Sequence, residues 1–313
     1  MQLEEVELFR ATLREMVREL GMLNRTTCGH DLSPLQSHIL IELDLAPEGL
    51  GVTTLAQKLC VEKSSMSRTL KSLQYADLIQ RQVSLDDART VKFSLTAHGQ
   101  AILSNLHRDA NQFTLDALAF CSPMQRDQFK DTAIQLAKAL KYARQHREMA
   151  IQIRPIQAQD NLAIAEVIRQ SFRDHQIDHL EGVSLNDPGL ECLSEIYAIP
   201  RAGYWVIEVQ GQVKGGVGLA PLQGASSAYV ELQKLYIDRD ITGLGIGRRL
   251  IQFALDQASA WGYHYCYLET LHELSAALGL YQAYGFKLLD QRIGNTGHNS
   301  CGICMLKDLK KMY

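Results

Sequence analysis

The sequence predicts two folded domains. A mostly helical domain occupies residues 1–148, and an α/β domain with a mixed, mostly antiparallel sheet occupies 151–313. Three observations predict this division. The chain has 313 residues, more than one hydrophobic core usually spans. Up to about residue 148 the apolar residues recur at helical spacing, whereas from Ile151 strand-like runs alternate with helical ones. Finally, "DITGLGIGRRLI", residues 240–251, sets Gly243, Gly245 and Gly247 between a strand and a helix, as an anion-binding turn requires.

The elements follow in order. "VELFRATLREMVRELGML" has near-helical apolar spacing, and "SPLQSHILIELDLA" offers Ser33 as N-cap with Pro34 at the first helical position. "TTLAQKLC" and "SSMSRTLKSLQYADL" are short helices parted by "VEK". Two extended runs, "IQRQVSL" and "TVKFSLT", are joined by the polar "DDAR", and helices over about 97–120 and 123–147 follow. The second domain opens with the strand "IQIRPI" and the helix "DNLAIAEVIRQSF". Strands "YWVIEV", "KGGVGLAPL" and "AYVELQKLYI" come next, with a Gln210-Gly211 turn between the first two. After the glycine turn come a helix ended by Gly262, the strand "YHYCYLET", the helix "LSAALGLYQAYG", and a last strand pair, "FKLLDQRIG" and "SCGICMLKDL".

Composition bounds the function. Hydrophobic content of 46% and charged content of 21% are those of an ordinary soluble protein. The net charge is −3, so any nucleic-acid contact must come from a local basic face. The acidic, amphipathic "MQLEEVELFR" is not a signal peptide, and no apolar run approaches the ~18 residues of a membrane span. The seven cysteines are odd in number and scattered, which fits reduced thiols in a cytoplasm; no membrane partner is expected. Cys301-x-x-Cys304, with His298 before it, has no second ligand pair at zinc spacing. It reads better as a strand whose residues three apart face opposite sides, so no metal is expected.

"VTTLAQKLCVEKSSMSRTLKSLQYADLIQR" fits a helix-turn-helix packed through Leu55, Ala56, Leu59, Met66, Leu70 and Leu73. Its second helix leaves Lys63, Ser64, Ser65, Ser67, Arg68 and Lys71 toward solvent. Ser64, Ser65 and Arg68 are the candidates for base edges of double-stranded DNA, and Lys63 and Lys71 for phosphates. A merely solvated polar face is the plainer alternative for this helix alone. The hairpin favours DNA: Arg89 sits at its tip beside Asp86 and Asp87, suited to a narrow minor groove. Helix-turn-helix, "D-D-x-R" wing and the "LTAHGQAIL" helix start together resemble the MarR family of winged-helix transcription factors over about 1–147. The resemblance implies a homodimer built from helices near 3–24 and 100–145, binding a pseudo-palindrome. Ala88 stands where many members have a second arginine.

Three readings compete for the glycines. A P-loop needs Gly-Lys-Ser/Thr, and Gly247-Arg248-Arg249 fails it. A dinucleotide fingerprint needs a third glycine at 248 and normally opens its domain, although Glu269 could serve as its ribose carboxylate. The third is a pyrophosphate held by backbone N–H groups at a helix N-terminus. Glu231 lies in the strand before the turn, where alternation puts Glu231, Gln233 and Leu235 on one face. A carboxylate in an apolar strand has a partner or a chemical task. Glu231 is the leading general-base candidate and Glu269 the second; a salt bridge to Lys234 or a neighbouring strand is the alternative.

The strand–turn–helix and "LYQAYGF" resemble the GNAT superfamily of acyl-CoA-dependent N-acyltransferases. Of the family's Arg/Gln-x-x-Gly-x-Gly/Ala turn, the chain keeps Gly245 and Gly247 but has Thr242 first. The resemblance implies acetyl-CoA as co-substrate, with no metal, along Leu235, Tyr236, Ile237, Thr242, Gly243, Leu244, Gly245, Ile246, Gly247 and Arg248. It makes Tyr281 the donor to the departing thiolate, against the alternative of a core aromatic beside Phe286. A small-molecule amine would enter near 173–200. Leu274 replaces an asparagine often found seven residues before the tyrosine. Arg248 and Arg249 either compensate for Thr242 or are surface cations of the helix. Two functions stay open: a DNA-binding regulator fused to an N-acetyltransferase, or a non-catalytic regulator whose second domain senses acyl-CoA or an amine.

Overall fold

The computed structural model describes residues 3–24, 26–27, 30–83, 91–296 and 302–310. The chain forms two compact units, Met1–Lys130 and Asp131–Tyr313.

The first unit holds α1 (Leu3–Glu19), α2 (Pro34–Asp44), α3 (Val52–Lys58), α4 (Lys63–Tyr75), β1 (Ile79–Val83), β2 (Val91–Leu95), α5 (Ala97–Ala119) and the start of α6 (Pro123–Glu148). α2 begins as its sequence dictates. Gln36 N donates to Ser33 Oγ at 3.3 Å and Ser33 N donates to Gln36 Oε1 at 2.8 Å, so two N–H groups of the helix start are satisfied reciprocally. Leu55, Met66, Leu70, Leu73 and Phe93 form the core that fixes α3 against α4 and the β1–β2 hairpin. Leu50 adds a bridge to Phe93 that no local pattern announces.

The second unit is a seven-stranded sheet. Its elements are β3 (Gln152–Pro155), α7 (Asn161–Asp174), α8 (Leu193–Ile196), β4 (Gly203–Val209), β5 (Gln212–Pro221), β6 (Tyr229–Ile237), α9 (Ile246–Ala260), β7 (Tyr265–Thr270), α10 (Ser275–Ala283), β8 (Lys287–Leu288) and β9 (Ile303–Asp308). The strand order is β3-β4-β5-β6-β7-β9-β8, and β6–β7 is the parallel pair in an otherwise antiparallel sheet. The β4–β5 turn takes Gln210 and Gly211 at φ 50° and 81°, the left-handed pair that matches strand twist. One face of the sheet packs on Leu250, Ala254 and Tyr281 from α9 and α10. The other packs on Ile164, Ile168 and Phe172 from α7. The strand expected over 286–294 pairs only at Lys287 and Leu288.

The expected alternation along β6 fails at one residue. Gly216 lies opposite Tyr236 and Gly218 opposite Gln233, so two steps on β5 face three on β6. The extra residue is Lys234, at φ 47°. Tyr204 Oη donates to its carbonyl at 3.0 Å, and its ammonium pairs with Asp187, where the salt-bridge alternative offered Glu231, three residues before it. The bulge inverts the parity of every later residue. Leu235 therefore leaves the face of Glu231 and Gln233; with Ile237 it packs in the α9 layer, while Tyr236 joins Phe172. The glycines of β5 serve this arrangement. A Cβ on Gly216 would lie 2.5 Å from the Tyr204 ring, and one on Gly218 2.6 Å from the Tyr197 ring.

β6 pairs with β7 only from Tyr229↔Tyr265 to Glu231↔Tyr267, and the two strands then part. At the opposite edge, Arg154 grips Asp160 through Nη1 at 2.6 Å and Nη2 at 3.0 Å and reaches Glu208 through Nε at 2.7 Å. The guanidinium bond holds the buried Asp160 carboxyl below its ordinary range against the opposing effect of burial. Asp160→Asn is expected to lower unfolding free energy at pH 7 by about 2 kcal/mol. Because the folded-state pKa is depressed, that contribution is complete above the ordinary carboxylate range and disappears as pH falls through the lowered value. Urea titrations at pH 7 and pH 3 should show the wild type and variant converging at the lower pH.

Candidate functional site

Where β6 and β7 part, a cavity of about 600 Å³ opens. Its floor at one end is the glycine turn. Gly243 and Gly245 sit at φ 75° and 73°, a conformation that a side chain would strain, and Gly245 is the N-cap of α9 with no side-chain cap of its own. The first N–H groups of a helix have no partner within it, so this end of the cavity is lined with oriented donors and the positive end of the α9 dipole.

The residues expected on the co-substrate path are brought together with one exception. Leu235, Tyr236, Ile237, Thr242, Gly243, Gly245, Ile246, Gly247 and Arg248 all line the cavity. Leu244 packs into the α9 core instead, and its carbonyl accepts from His146 Nε2 at 2.7 Å. Thr242 turns its hydroxyl back to donate to Arg239 O at 2.8 Å. Arg249 does not face the cavity wall; its Nη1 donates to His146 Nδ1 at 3.1 Å and to Ile151 O at 3.3 Å. A carbonyl can only accept, so His146 carries its proton on Nε2 and offers the Nδ1 lone pair to Arg249. Leu274 also lines the cavity and makes no side-chain cap on α10.

Tyr281, Glu231 and Glu269 line the same cavity. Tyr281 is buried, edge-on to Phe286 with ring centroids 5.8 Å apart, so the packing and cavity-lining roles coincide in one ring. Burial, reinforced by the neighbouring Cys266, raises its hydroxyl above the ordinary phenol range and keeps it protonated at neutral pH. Glu231 is 3% exposed. Its Oε2 accepts from Gln233 Nε2 at 2.7 Å, and Gln233 Oε1 accepts from Tyr197 Oη at 2.7 Å. Glu269 differs. Its Oε1 accepts from Tyr267 Oη at 2.7 Å and meets Arg292 Nε at 3.0 Å, whereas its buried Oε2 has no hydrogen-bond partner among the described residues. The cavity thus joins an end lined by the N-terminus of α9 to a protonated phenol and two unlike carboxylates.

Sequence reasoning missed the contribution of α6. Lys138 and Tyr142 line the cavity, and a Cβ on Gly245 would lie 2.5 Å from the Tyr142 ring. The available signal was the four-residue spacing of Lys138, Tyr142 and His146, which puts all three on one helix face.

In the first unit, α4 buries Met66, Leu70 and Leu73 and exposes Ser64, Arg68 and Lys71 as one stripe, with Lys63 exposed at its first turn. Ser65 and Ser67 are half-buried, and the Ser67 hydroxyl donates to Lys63 O at 2.9 Å. Arg89, Ala88, Asp86 and Asp87 lie outside the described residues, as do His298 and Cys301. Among the described residues no group of three or more His, Cys, Asp or Glu could hold a metal ion, and no helix is long and apolar enough to cross a membrane.

Comparison with known proteins agrees with both halves. Residues 32–91 match the MarR family model and residues 166–286 the acetyltransferase (GNAT) family model. The uncharacterized N-acetyltransferase YjgM of Escherichia coli (strain K12) is 41% identical over 157 residues, which cover 50% of this chain and 94% of that protein. YncA from Salmonella typhimurium, solved with its cofactor acetyl-CoA, aligns with TM-score 0.42 at 20% identity, over 52% of this chain and 95% of that one. A MarR family transcription regulator aligns with TM-score 0.37 at 26% identity, over 46% of this chain and 92% of that one. The 41% identity over nearly the whole of that relative makes this chain a member of the GNAT acetyltransferase family, and residues 32–91 ahead of that domain match the MarR family model.

Proposed function

We propose that the chain moves an acetyl group from acetyl-CoA to a small-molecule amine by direct attack in a ternary complex, and that its first domain, residues 1–148, binds double-stranded DNA as a homodimer. The catalytic domain in this reading is 151–313, and a DNA partner puts the protein in the cytoplasm. The observation that carries the catalytic half is the presence of the glycine turn, Tyr281 and Glu231 around one cavity.

The residues fit the co-substrate. The N–H groups of residues 243–247 hold the pyrophosphate, aided by Arg248, and the parted edge of β6 at residues 235–237 pairs with the pantetheine arm. Acetyl-CoA supplies the thioester. Tyr281 donates its proton to the thiolate sulfur as the C–S bond breaks. Glu231 takes the proton that the attacking amine must lose. Glu269, whose Oε2 has no partner among the described residues, is the second candidate for that proton and the natural dock for an arriving ammonium. A sensor without catalysis would need neither the phenol nor the carboxylates around the thioester.

In the first domain, α1 buries none of its residues and exposes Leu3, Leu8 and Met16, while α5 and α6 expose Leu115 and Phe129. These apolar faces support pairing of two copies. Ser64, Ser65 and Arg68 read base edges; Lys63, Lys71 and the polar Ser67 face the backbone, and Arg89 enters the minor groove.

Thiol release from acetyl-CoA with a panel of amines tests the catalytic half. Tyr281→Phe should lower kcat about 10- to 100-fold with KM little changed, and Glu231→Gln about 100-fold at pH 7, with a residual rate that climbs as pH rises and neutral amine accumulates. No turnover with any amine would remove catalysis and leave the sensor. Gel shifts on DNA from upstream of the protein's own gene test the other half. Arg68→Ala should weaken binding about tenfold, and Lys71→Ala should reduce the slope of log K against log salt by about 1. Wild-type affinity and slope in the variant carrying both Arg68→Ala and Lys71→Ala would refute these contacts.

A further inference from the structure

The last turns of α6 present Lys138, Tyr142 and His146 to the glycine turn and the cavity beside it. His146 holds Leu244 O and receives Arg249, so the turn is fixed to α6 from below. The Tyr142 ring packs on Gly245, close enough that no side chain fits between them. Lys138 Nζ is 5.9 Å from the centre of that ring, within cation–π range, and remains exposed. Thr242 commits its short hydroxyl to Arg239 O, so the turn brings no long polar side chain at its first position. The cation that this position lacks is carried into the same cavity by α6.

We propose that Lys138 and Tyr142 form a phosphate-binding wall of the acyl-CoA site, from a helix outside the span matched by the acetyltransferase family. Lys138 pairs with a phosphate of the nucleotide end. Tyr142 is a positioning residue that buttresses the turn and steers the ammonium toward it. The inference rests on the acyl-CoA reading above and extends it to residues that reading does not use. A phosphate bound among backbone donors gains from one full charge whose stem is already aligned.

Calorimetric titration of the full chain with CoA and with 3′-dephospho-CoA tests it. Lys138→Gln should raise Kd about tenfold, and Lys138→Arg should restore most of the affinity. Lys138 is exposed, so an unchanged thermal midpoint excludes a folding defect. A loss confined to CoA identifies the 3′-phosphate as the partner, and an equal loss for both ligands identifies the pyrophosphate; either supports the wall. Lys138→Gln binding both ligands as the wild type does would overturn the wall while leaving the acyl-CoA reading intact. A wild-type chain that binds neither ligand would overturn the acyl-CoA reading and the wall with it.

Discussion

The catalytic half depends on one residue held in an unfavourable conformation. Lys234 is not a glycine, yet its φ of 47° places it in the left-handed region, at a cost of about 1 kcal/mol or more. The Tyr204 hydroxyl on its carbonyl and Asp187 on its ammonium hold it there. The consequences extend through the unit. The bulge shifts register with β5, inverts the faces of Leu235, Tyr236 and Ile237, and lies just beyond the last residue of β6 that pairs with β7. The parted strands expose the backbone edge that frames the cavity. The glycines at 216 and 218 are the counterpart on β5, since only there can the Tyr204 and Tyr197 rings lie against the sheet.

The two carboxylates of the cavity show how environment separates groups of the same chemistry. Glu231 is tied into a chain of neutral donors running through Gln233 to Tyr197. Glu269 is anchored by a guanidinium and a phenol on one oxygen, and its other oxygen has no partner among the described residues. An oxygen held by a neutral amide keeps a fixed direction; an oxygen without a partner in a buried site invites a donor from whatever enters. In the proposed transfer, this division assigns receipt of the ammonium to Glu269 and removal of its proton to Glu231.

Much of this architecture was legible in the sequence because its determinants are local. The α2 capping box, the apolar i, i+4, i+7 stripe of α4 and the Gln210-Gly211 turn are each fixed within a few residues, and the helices begin and end close to the expected positions. The glycine turn and Tyr281 were legible because their spacing is itself the signal. The bulge was not: alternation presumes an unbroken pleat, and Lys234 gives no local warning of the left-handed turn that Tyr204 and Asp187 impose from elsewhere in the unit. The Leu50–Phe93 bridge and the His146–Leu244 bond escaped for the same reason, the latter joining residues 98 apart in the chain. Arg249 looked like a helix-surface cation or a phosphate ligand because nothing nearby in sequence reveals that His146 and Ile151 O receive it.

The end of α6 alters what counts as the enzyme. Half of this chain covers nearly all of YjgM, which invites the view that the acetyltransferase is a detachable cassette behind a regulatory one. A truncation beginning at Met149 would keep the whole span that matches the acetyltransferase family. It would also discard Tyr142 and His146, leaving Gly245 without its aromatic backing and the Leu244 carbonyl and Arg249 guanidinium without their shared imidazole. The compact unit that holds the cavity therefore begins at Asp131, well before the span that matches the acetyltransferase family. α6 runs across that boundary, from Pro123 to Glu148, and its last turns pack on the glycine turn.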